Sequence, residues 1–310
     1  MGNSRSLTGK KALVTGGTSG IGFYTARSLA EKGAVVYITG RDVRRGEESA
    51  IQIQDYAGNE GVRFIRADSS TVGGNQQLAD QILAETGQLH ILVNNVGGLY
   101  NDRWETEDGY EATLAMNLIG PFALTEALLP ALQAGGPARI VNVTSASFLM
   151  WKGDPFADPQ SCETYSGFHA YNRSKYLNVL WTLAFAHRFE GSGIAANALH
   201  PGTAWTGMTQ KNEPRVLPII LRWLWPVFRL MQKRGSPEKA SSTSIFLASA
   251  PEARNLSGQY FESSTRPKKL PGAVLDPANQ DKTWKFAEAL VRSAPTAVKT
   301  GIVENRFSFG

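Results

Sequence analysis

The stretch Lys11-Ala-Leu-Val-Thr-Gly-Gly-Thr-Ser-Gly-Ile-Gly22 decides the fold, because a short apolar strand runs directly into a glycine-rich turn. A predicted helix over residues 21–32 and a predicted strand over residues 34–39 follow, which completes a βαβ unit of about 30 residues. The GxxxGxG spacing lets the backbone turn sharply and approach a ligand closely. We therefore predict that this turn binds a pyrophosphate at the helix N-terminus, through Gly16, Thr18, Ser19, Gly20, Ile21 and Gly22. The alternative is an ordinary strand-to-helix turn with chance glycines.

The same alternation of strands and helices continues along the chain. Further strands are predicted over residues 62–66, 89–93, 139–143, 194–199 and 259–261, and further helices over residues 43–56, 76–85, 110–132, 168–189 and 237–248. Short apolar strands alternating with helices predict an α/β protein with a doubly wound parallel sheet, Rossmann-like in architecture. No Ser/Gly-rich linker divides the sequence, so we expect a single domain over residues 1–310. A helical lid at about 205–232 and a C-terminal extension at about 265–310 are expected to complete it.

Composition excludes several classes of protein. The 310 residues include 32 Lys+Arg and 27 Asp+Glu, which gives a net charge of +5, and hydrophobic residues make up 42%. This balance is that of a globular protein rather than a disordered chain. The one cysteine, Cys162, excludes an intrachain disulfide, and the four histidines show no metal-ligand spacing, so no metal is expected. The basic excess lies in residues 156–310 without a nucleic-acid motif, so no nucleic-acid partner is expected.

The end of the second predicted strand bears on cofactor choice. In dinucleotide folds an acidic residue at this point hydrogen-bonds the ribose, whereas a nearby arginine accommodates a 2′-phosphate. Here Thr39 and Gly40 leave room where the carboxylate would lie, and Arg41 follows directly. Asp42 competes with this interpretation, but it is well placed to cap the next helix. We predict NADP(H) in preference to NAD(H).

A tyrosine and a lysine separated by one helical turn form the candidate catalytic pair. Tyr171 and Lys175 share a helix face, and a nearby ammonium is expected to lower the pKa of the phenol. Tyr171 would then act as general acid in reduction and general base in oxidation. Ser145 ends a parallel strand, where side chains line the ligand crevice. Asn117 is the one polar residue of an apolar helical run and is expected to face an internal polar group.

Taken together, these motifs resemble those of the short-chain dehydrogenase/reductase family. The matching segments occur in the family's order over about residues 8–263: Thr15-Gly-Gly-Thr-Ser-Gly-Ile-Gly22, Asn94-Asn-Val-Gly97, Asn117, Ile140-Val-Asn-Val-Thr-Ser145, Tyr171 with Lys175, and Pro201-Gly-Thr203. Val96, in place of the usual alanine, and Thr144, in place of a common serine, are small departures from the pattern.

The resemblance implies roles for individual residues. Ser145 would bind the substrate oxygen, Tyr171 would exchange the proton, and Lys175 would lower the tyrosine pKa and contact the nicotinamide ribose. Asn117 would hold a water molecule of the proton relay. The remaining cofactor contacts implied are Asp68 and Ser69 at the adenine, Asn95, Val96 and Gly97 through the backbone, and Pro201, Gly202 and Thr203 at the nicotinamide.

A closer resemblance is to the retinol-dehydrogenase-like branch. The chain shares His200-Pro-Gly-Thr203, a separation of 26 residues between Ser145 and Tyr171, and Ser257-Gly-Gln-Tyr-Phe261. The resemblance implies an NADP(H)-dependent enzyme that transfers hydride to or from a lipophilic carbonyl or alcohol, retinoid-, steroid- or long-chain-aldehyde-like. The alternative is an NADP(H)-binding regulatory or scaffold protein with little turnover. The family pairs into homodimers through helices equivalent to 110–132 and 169–189, which the C-terminal extension could block.

Residues 205–232 are the least constrained part of the sequence. Trp223, Trp225, Phe228 and Leu230 form a large apolar set, and six basic residues surround them with one acidic residue. The stretch 216–231 is interrupted by charges and is shorter than the roughly 20 residues of a spanning helix, so we predict no transmembrane helix and a cytoplasmic location. Three interpretations stay open: an apolar lid packed on the core, a lid shaped for a lipophilic substrate, and a peripheral membrane contact through residues 216–231.

Overall fold

A parallel sheet of seven strands organises the molecule. The computed structural model describes residues 5–217 and 219–295. Its strands are β1 (Lys11–Val14), β2 (Val35–Gly40), β3 (Val62–Arg66), β4 (Ile91–Asn94), β5 (Ala138–Val143), β6 (Ile194–His200) and β7 (Gln259–Glu262). Their spatial order is β3-β2-β1-β4-β5-β6-β7. The predicted doubly wound α/β fold is therefore confirmed. Each predicted strand boundary lies within about two residues of the observed one.

Helices connect successive strands and cover both faces of the sheet. They are α1 (Gly20–Glu31), α2 (Val43–Ala57), α3 (Val72–Thr86), α4 (Ala112–Leu114), α5 (Gly120–Ala127), α6 (Leu129–Ala134), α7 (Gly167–Arg188), α8 (Gly207–Lys211), α9 (Trp225–Arg234), α10 (Pro237–Ala240), α11 (Ser242–Ser249), α12 (Gly272–Leu275) and α13 (Pro277–Ser293). Short 3₁₀ turns lie at Ala146–Met150, Pro214–Val216, Ile219–Leu224 and Pro251–Ala253.

Two apolar cores result from this layering. One core contains Leu78, Leu118, Phe122 and Trp181 from α3, α5, α7 and the segment that precedes α5. The other contains Leu29, Ile53 and Leu247 from α1, α2 and α11. Because both faces are covered, the central strands are buried along almost their whole length, as their continuous apolar sequences predicted.

The prediction of one long helix over residues 110–132 is wrong in detail. The chain forms α4, a π-helical turn over Ala115–Ile119, and then α5 and α6. The prolines Pro121 and Pro130 stand at the starts of α5 and α6, where the missing N–H costs little. The helix predicted over residues 237–248 is likewise divided, into α10 and α11. The apolar pattern of the sequence continues through both helix interruptions, so the pattern alone does not predict them.

Candidate active site

The carboxyl ends of the central strands open onto a cleft of about 740 Å³. β1 pairs with β2 on one side and with β4 on the other, so the strand order reverses there, and open parallel sheets bind ligands at such a point. The predicted cofactor contacts that line the cleft are Gly16, Thr18, Ser19, Gly20, Ile21, Arg41, Asp68, Ser69, Asn95, Val96, Gly97, Tyr171, Lys175, Pro201, Gly202 and Thr203. Ser145 lines it as well, whereas Gly22 and Asn117 are not among the lining residues.

The glycine-rich turn has the geometry of a phosphate cradle. Gly16 and Gly20 have φ values of 64° and 57°, a region that favours glycine. An added Cβ at Gly22 would lie 2.4 Å from the Gly16 carbonyl oxygen. The Ser19 side chain does not cap α1, so the amides of its first turn stay available to a ligand. An uncapped helix N-terminus facing a cleft fits a pyrophosphate.

The Asn95 side chain joins this turn to the end of β4. Its Nδ2 donates to the Thr15 carbonyl at 2.9 Å and to the Gly16 carbonyl at 3.4 Å. The Thr15 hydroxyl in turn accepts from the backbone amides of Asn95 and Val96, at 2.9 and 3.1 Å. The two loops that would hold the phosphates and the nicotinamide are thus fixed to each other before a cofactor binds.

The far end of the cleft is basic. An added Cβ at Gly40 would lie 2.9 Å from the Thr18 methyl, so an acidic side chain at that position would have to displace Thr18. Arg41 and Arg45 both line the cleft. Asp42 accepts a hydrogen bond from the Arg45 amide at 3.0 Å as the N-cap of α2, which confirms its predicted capping role. The sequence analysis missed Arg45, because it considered only the residue directly after β2. Arg45 lies in the first turn of α2, and its side chain reaches the same cleft as Arg41.

The adenine end also contains Asp68 and Ser69. Asp68 Oδ1 accepts from the Ser70 amide at 2.9 Å and from the Ser70 hydroxyl at 2.6 Å. These bonds orient the carboxyl group at the end of β3, where it lines the cleft. The residues on this side therefore fit the polar edge of a nucleotide.

Ser145, Tyr171 and Lys175 meet at the opposite end of the cleft. The Lys175 ammonium donates to the Val143 carbonyl at 3.1 Å and lies 5.7 Å from the centre of the Tyr171 ring. Burial raises the pKa of Tyr171 to about 12, and a hydrogen bond with the Ser145 hydroxyl opposes part of that rise. Burial lowers the pKa of Lys175 to about 7. A strand end and one helix face thus bring together a phenol, a hydroxyl and an amine.

The expected effect of Lys175 on the phenol is not what the structure shows. We expected the ammonium to lower the pKa of Tyr171, but that pKa is raised and Lys175 is not among its causes. Desolvation penalises the charged form of either group, so burial favours the neutral phenol and the neutral amine. Within the protein alone, burial therefore outweighs the attraction between the two side chains.

Asn117 lies at the centre of the π-helical turn and is fully buried. Its Oδ1 accepts from the Gly98 amide at 3.0 Å, and its Nδ2 donates to the Gly98 carbonyl and to the Ser174 hydroxyl, at 2.8 and 2.9 Å. The side chain therefore ties the loop after β4 to α7 beside Lys175. Its predicted role in a water relay stays a prediction.

His200 and the residues after it form the wall next to β6. His200 lines the cleft, and burial lowers its pKa to about 4, so the imidazole is neutral at physiological pH. Pro201, Gly202 and Thr203 follow, with φ of 89° at Gly202. His200 therefore contributes a neutral side chain to the wall of the cleft.

Two segments cover the catalytic end of the cleft. From residues 205–232, the side chains of Asn212, Val216 and Phe228 line it, whereas Trp223 and Leu230 point to solvent. The predicted apolar set is therefore divided between the cleft and the surface. The other segment is an insertion at residues 148–168, between Ser145 and Tyr171, of which Met150 and Phe168 line the cleft.

The centre of that insertion is held by Arg173, a residue that the sequence analysis missed. Its guanidinium donates to the Asp158 carbonyl and to the Ser161 hydroxyl and lies 5.6 Å from the Trp151 ring centre. Tyr165, in the same insertion, donates to the Tyr100 carbonyl at 3.1 Å. No sequence pattern distinguishes a buried arginine from an exposed one on α7.

Comparison with known proteins places this geometry in a family. The family model described as short chain dehydrogenase matches residues 10–216. Retinol dehydrogenase 12 of Homo sapiens is 38% identical over 260 residues, which cover 84% of this chain and 79% of the relative. Retinol dehydrogenase 11 of Mus musculus is 37% identical over 255 residues, 82% of this chain and 78% of the relative.

A solved structure described as the Pseudomonas aeruginosa RhlG/NADP active-site complex has the same fold. It superposes with a TM-score of 0.65 at 29% identity and covers 84% of this chain and 97% of that one. Together with the ordered cleft residues, these matches show that the chain belongs to the short-chain dehydrogenase family, in its retinol-dehydrogenase-like branch, and is an oxidoreductase acting on CH–OH or C=O groups.

Proposed function

We propose that this protein is an NADP(H)-dependent oxidoreductase that interconverts a lipophilic carbonyl compound and its alcohol. The observation that carries the proposal is the arrangement of one cleft, with arginines at one end and Ser145, Tyr171 and Lys175 at the other. A bound nicotinamide would supply the hydride in reduction and accept it in oxidation. NADP(H) would be held by the turn after β1, the end of β2 and the loops after β4 and β6.

The chain's own residues would manage the proton and the substrate oxygen. The Ser145 hydroxyl, near enough to the Tyr171 phenol to lower its pKa, is placed to hold the substrate oxygen beside Tyr171. Tyr171 stays protonated over the physiological range and so holds a proton to donate in reduction. Positive charge beside the ring would favour that transfer, because it lowers the pKa of a phenol. Lys175, beside the ring, is placed to contact the ribose and to stabilise negative charge that develops on the phenol oxygen.

The basic end of the cleft supports NADP(H) over NAD(H). Arg41 and Arg45 are the cations there, and the carboxylate of Asp42 is already used in capping α2. A guanidinium binds phosphate through charge-assisted hydrogen bonds. The structural relative described as an NADP complex is in keeping with this preference.

The apolar part of the cleft lining supports a lipophilic substrate. Leu99, Met150, Phe168 and Phe228 are among the lining residues. Apolar walls with a few polar groups are typical of small-molecule sites. The names of the relatives point to a retinoid, and a steroid or long-chain aldehyde would bury similar apolar surface. Residues 205–232 would form the lid over this substrate.

The test is consumption of NADPH with a panel of lipophilic ketones and aldehydes, for the wild type and for Tyr171→Phe. Loss of the proton donor should lower kcat by at least about 100-fold. Tyr176→Phe, on the same helix but not among the cleft-lining residues, is the matched control and should retain activity. Equal rates for wild type and Tyr171→Phe would overturn the mechanism, and tight NADPH binding without turnover on any compound would favour the regulatory alternative.

A further inference from the structure

One face of α9 presents apolar side chains to solvent. Val227, Leu230 and Met231 are 57%, 49% and 56% exposed, and Trp223, just before the helix, is 75% exposed. The positions 223, 227, 230 and 231 follow the three- and four-residue spacing of a single helix face. Scattered exposed apolar residues need no explanation, but a contiguous helical face of them marks an interaction surface.

The other faces of α9 are fixed to the protein. Phe228 and Gln232 line the cleft. Arg229 donates to the Thr209 carbonyl at 2.8 Å, and its guanidinium lies 4.6 Å from the centre of the Trp205 ring. Because these contacts set the rotation of the helix, the apolar side chains are held outward rather than turned into the cleft.

Charge identifies the partner that this face fits. Residues 214–237 contain five Lys or Arg residues and no Asp or Glu. Arg222, Lys233 and Arg234 are exposed next to the apolar face. A helix with large apolar side chains on one side and cations along its border is typical of binding at the surface of an anionic bilayer.

A second exposed apolar pair lies beside the cleft. Leu149 and Met150 are 38% and 55% exposed at the end of the turn Ala146–Met150, and Met150 also lines the cleft. Exposed apolar side chains at two places near the cleft would favour contact of this part of the surface with hydrocarbon. In the described part of the chain, no helix is long and apolar enough to span a membrane, so the contact would be at the surface.

We propose that the outward face of α9 binds an anionic lipid bilayer and places the mouth of the cleft against it. A lipophilic substrate would then pass from the bilayer into the cleft without crossing water. This second step rests on the proposed function, whereas lipid binding does not.

Co-sedimentation of the full chain with vesicles tests the proposal. Wild-type protein should bind vesicles of mixed phosphatidylcholine and phosphatidylserine, and binding should weaken in high salt and on pure phosphatidylcholine. Leu230→Gln with Met231→Gln removes apolar contact, and Arg222→Glu with Arg234→Glu reverses charge. Each pair should weaken binding at least tenfold. Ile51→Gln, at a residue 55% exposed on α2, is the matched control and should bind like the wild type.

Three outcomes would overturn the docking proposal. The first is no sedimentation of the wild type, and the second is equal sedimentation of all variants. The third is a wild-type dimer that Leu230→Gln with Met231→Gln dissociates, because the apolar face would then be buried between two copies of the chain. Thermal unfolding checks that each variant is folded. Tyr171→Phe should still sediment, because lipid binding does not require turnover. Sedimentation without turnover would count against the proposed function alone, and turnover on detergent-solubilised aldehyde without sedimentation would count against docking alone.

Discussion

Lys175 and Tyr171 show how burial prepares two ionisable groups for proton transfer. Burial lowers the pKa of Lys175 to about 7 and raises that of Tyr171 to about 12, so the phenol is neutral and the amine exchanges its proton near neutral pH. A neutral phenol can be brought close to the amine in an apolar site at a lower cost than an ion pair. Negative charge then appears on the phenol only when the proton moves, at the point where Ser145 and Lys175 can stabilise it.

The lowered pKa of Lys175 predicts how stability depends on pH. Between pH 7 and the ordinary lysine pKa of 10.5, the unfolded chain binds a proton that the folded chain lacks. Stability from this group therefore rises with pH across that window, by up to about 1.4 kcal/mol per unit, and is constant below it. Lys175→Met removes the dependence. Urea unfolding from pH 6 to pH 9.5 should show the wild type gaining stability relative to the variant, and parallel curves would contradict the prediction.

Arg41 predicts the basis of cofactor selectivity. Arg41→Ala should raise KM for NADPH by about 10- to 100-fold, because one charge-assisted hydrogen bond to phosphate is lost, and should change KM for NADH little. Steady-state kinetics with both cofactors make the comparison. Arg44→Ala is the control, since Arg44 is exposed and is not among the cleft-lining residues. An equal effect on both cofactors would show that Arg41 does not read the 2′-phosphate.

At the scale of elements, the turn between β1 and α1 is both tightly packed and part of the cleft wall. A methyl group at Gly22 would meet the Gly16 carbonyl oxygen at 2.4 Å and Asn95 Nδ2 at 2.5 Å. Neither neighbour can yield without moving the loops that face the cleft. Gly22 therefore maintains the conformation of the glycine-rich turn, although it is not among the residues that line the cleft.

Gly22→Ala is accordingly expected to weaken NADPH binding by at least tenfold and to destabilise the fold by about 1–3 kcal/mol, as overpacking does. Gly272→Ala is the matched control, because an added Cβ there meets no atom within 4 Å and α12 lies at the start of the C-terminal segment. Fluorescence titration with NADPH and urea unfolding measure the two effects. Unchanged binding in Gly22→Ala would show that the turn tolerates displacement.

At the scale of the whole molecule, the C-terminal segment completes the core rather than trailing from it. Helix α13 packs against α5 and α7. Trp284 lies with its ring 5.0 Å from Phe122 and 6.3 Å from Phe185, and Tyr110 donates to the Leu290 carbonyl at 2.6 Å. Homodimer pairing through these helices stays a prediction and would require α13 to move. Residues 296–310 of the predicted extension lie outside the described residues.

Truncation of Trp284 tests this role of α13. Trp284→Ala should destabilise the protein by about 3–5 kcal/mol, because a buried indole would leave a cavity between α5 and α7. Leu275→Ala, at a residue 50% exposed on α12, is the control and should change stability by less than about 1 kcal/mol. Chemical denaturation at neutral pH measures both. A small effect in Trp284→Ala would mean that α13 is not part of the cooperative core.

The order of the strands in the sheet came from the structure, whereas the positions of the strands, the glycine-rich turn after β1 and the candidate set Ser145, Tyr171 and Lys175 were predictable from the chain alone. Each depends on local spacing: period-two or buried strands, glycines at a turn, and residues one helical turn apart. The cap made by Asp42 followed from the same kind of local rule. The division into one domain with a lid and an extension stays a prediction, although α8 and α9 do border the cleft.

Burial and distant contacts were beyond such local rules. The raised pKa of Tyr171, the π-helical turn at Asn117 and the anchoring of the insertion by Arg173 each arise from residues far apart in sequence. The same holds for the outward face of α9, since helical spacing identifies a face but not what covers it. The order of short motifs along the chain was sufficient to identify the family and its class of reaction, because each motif spans only a few residues. Electrostatics and exposed surfaces required the folded molecule, because desolvation depends on every neighbour that packing brings near.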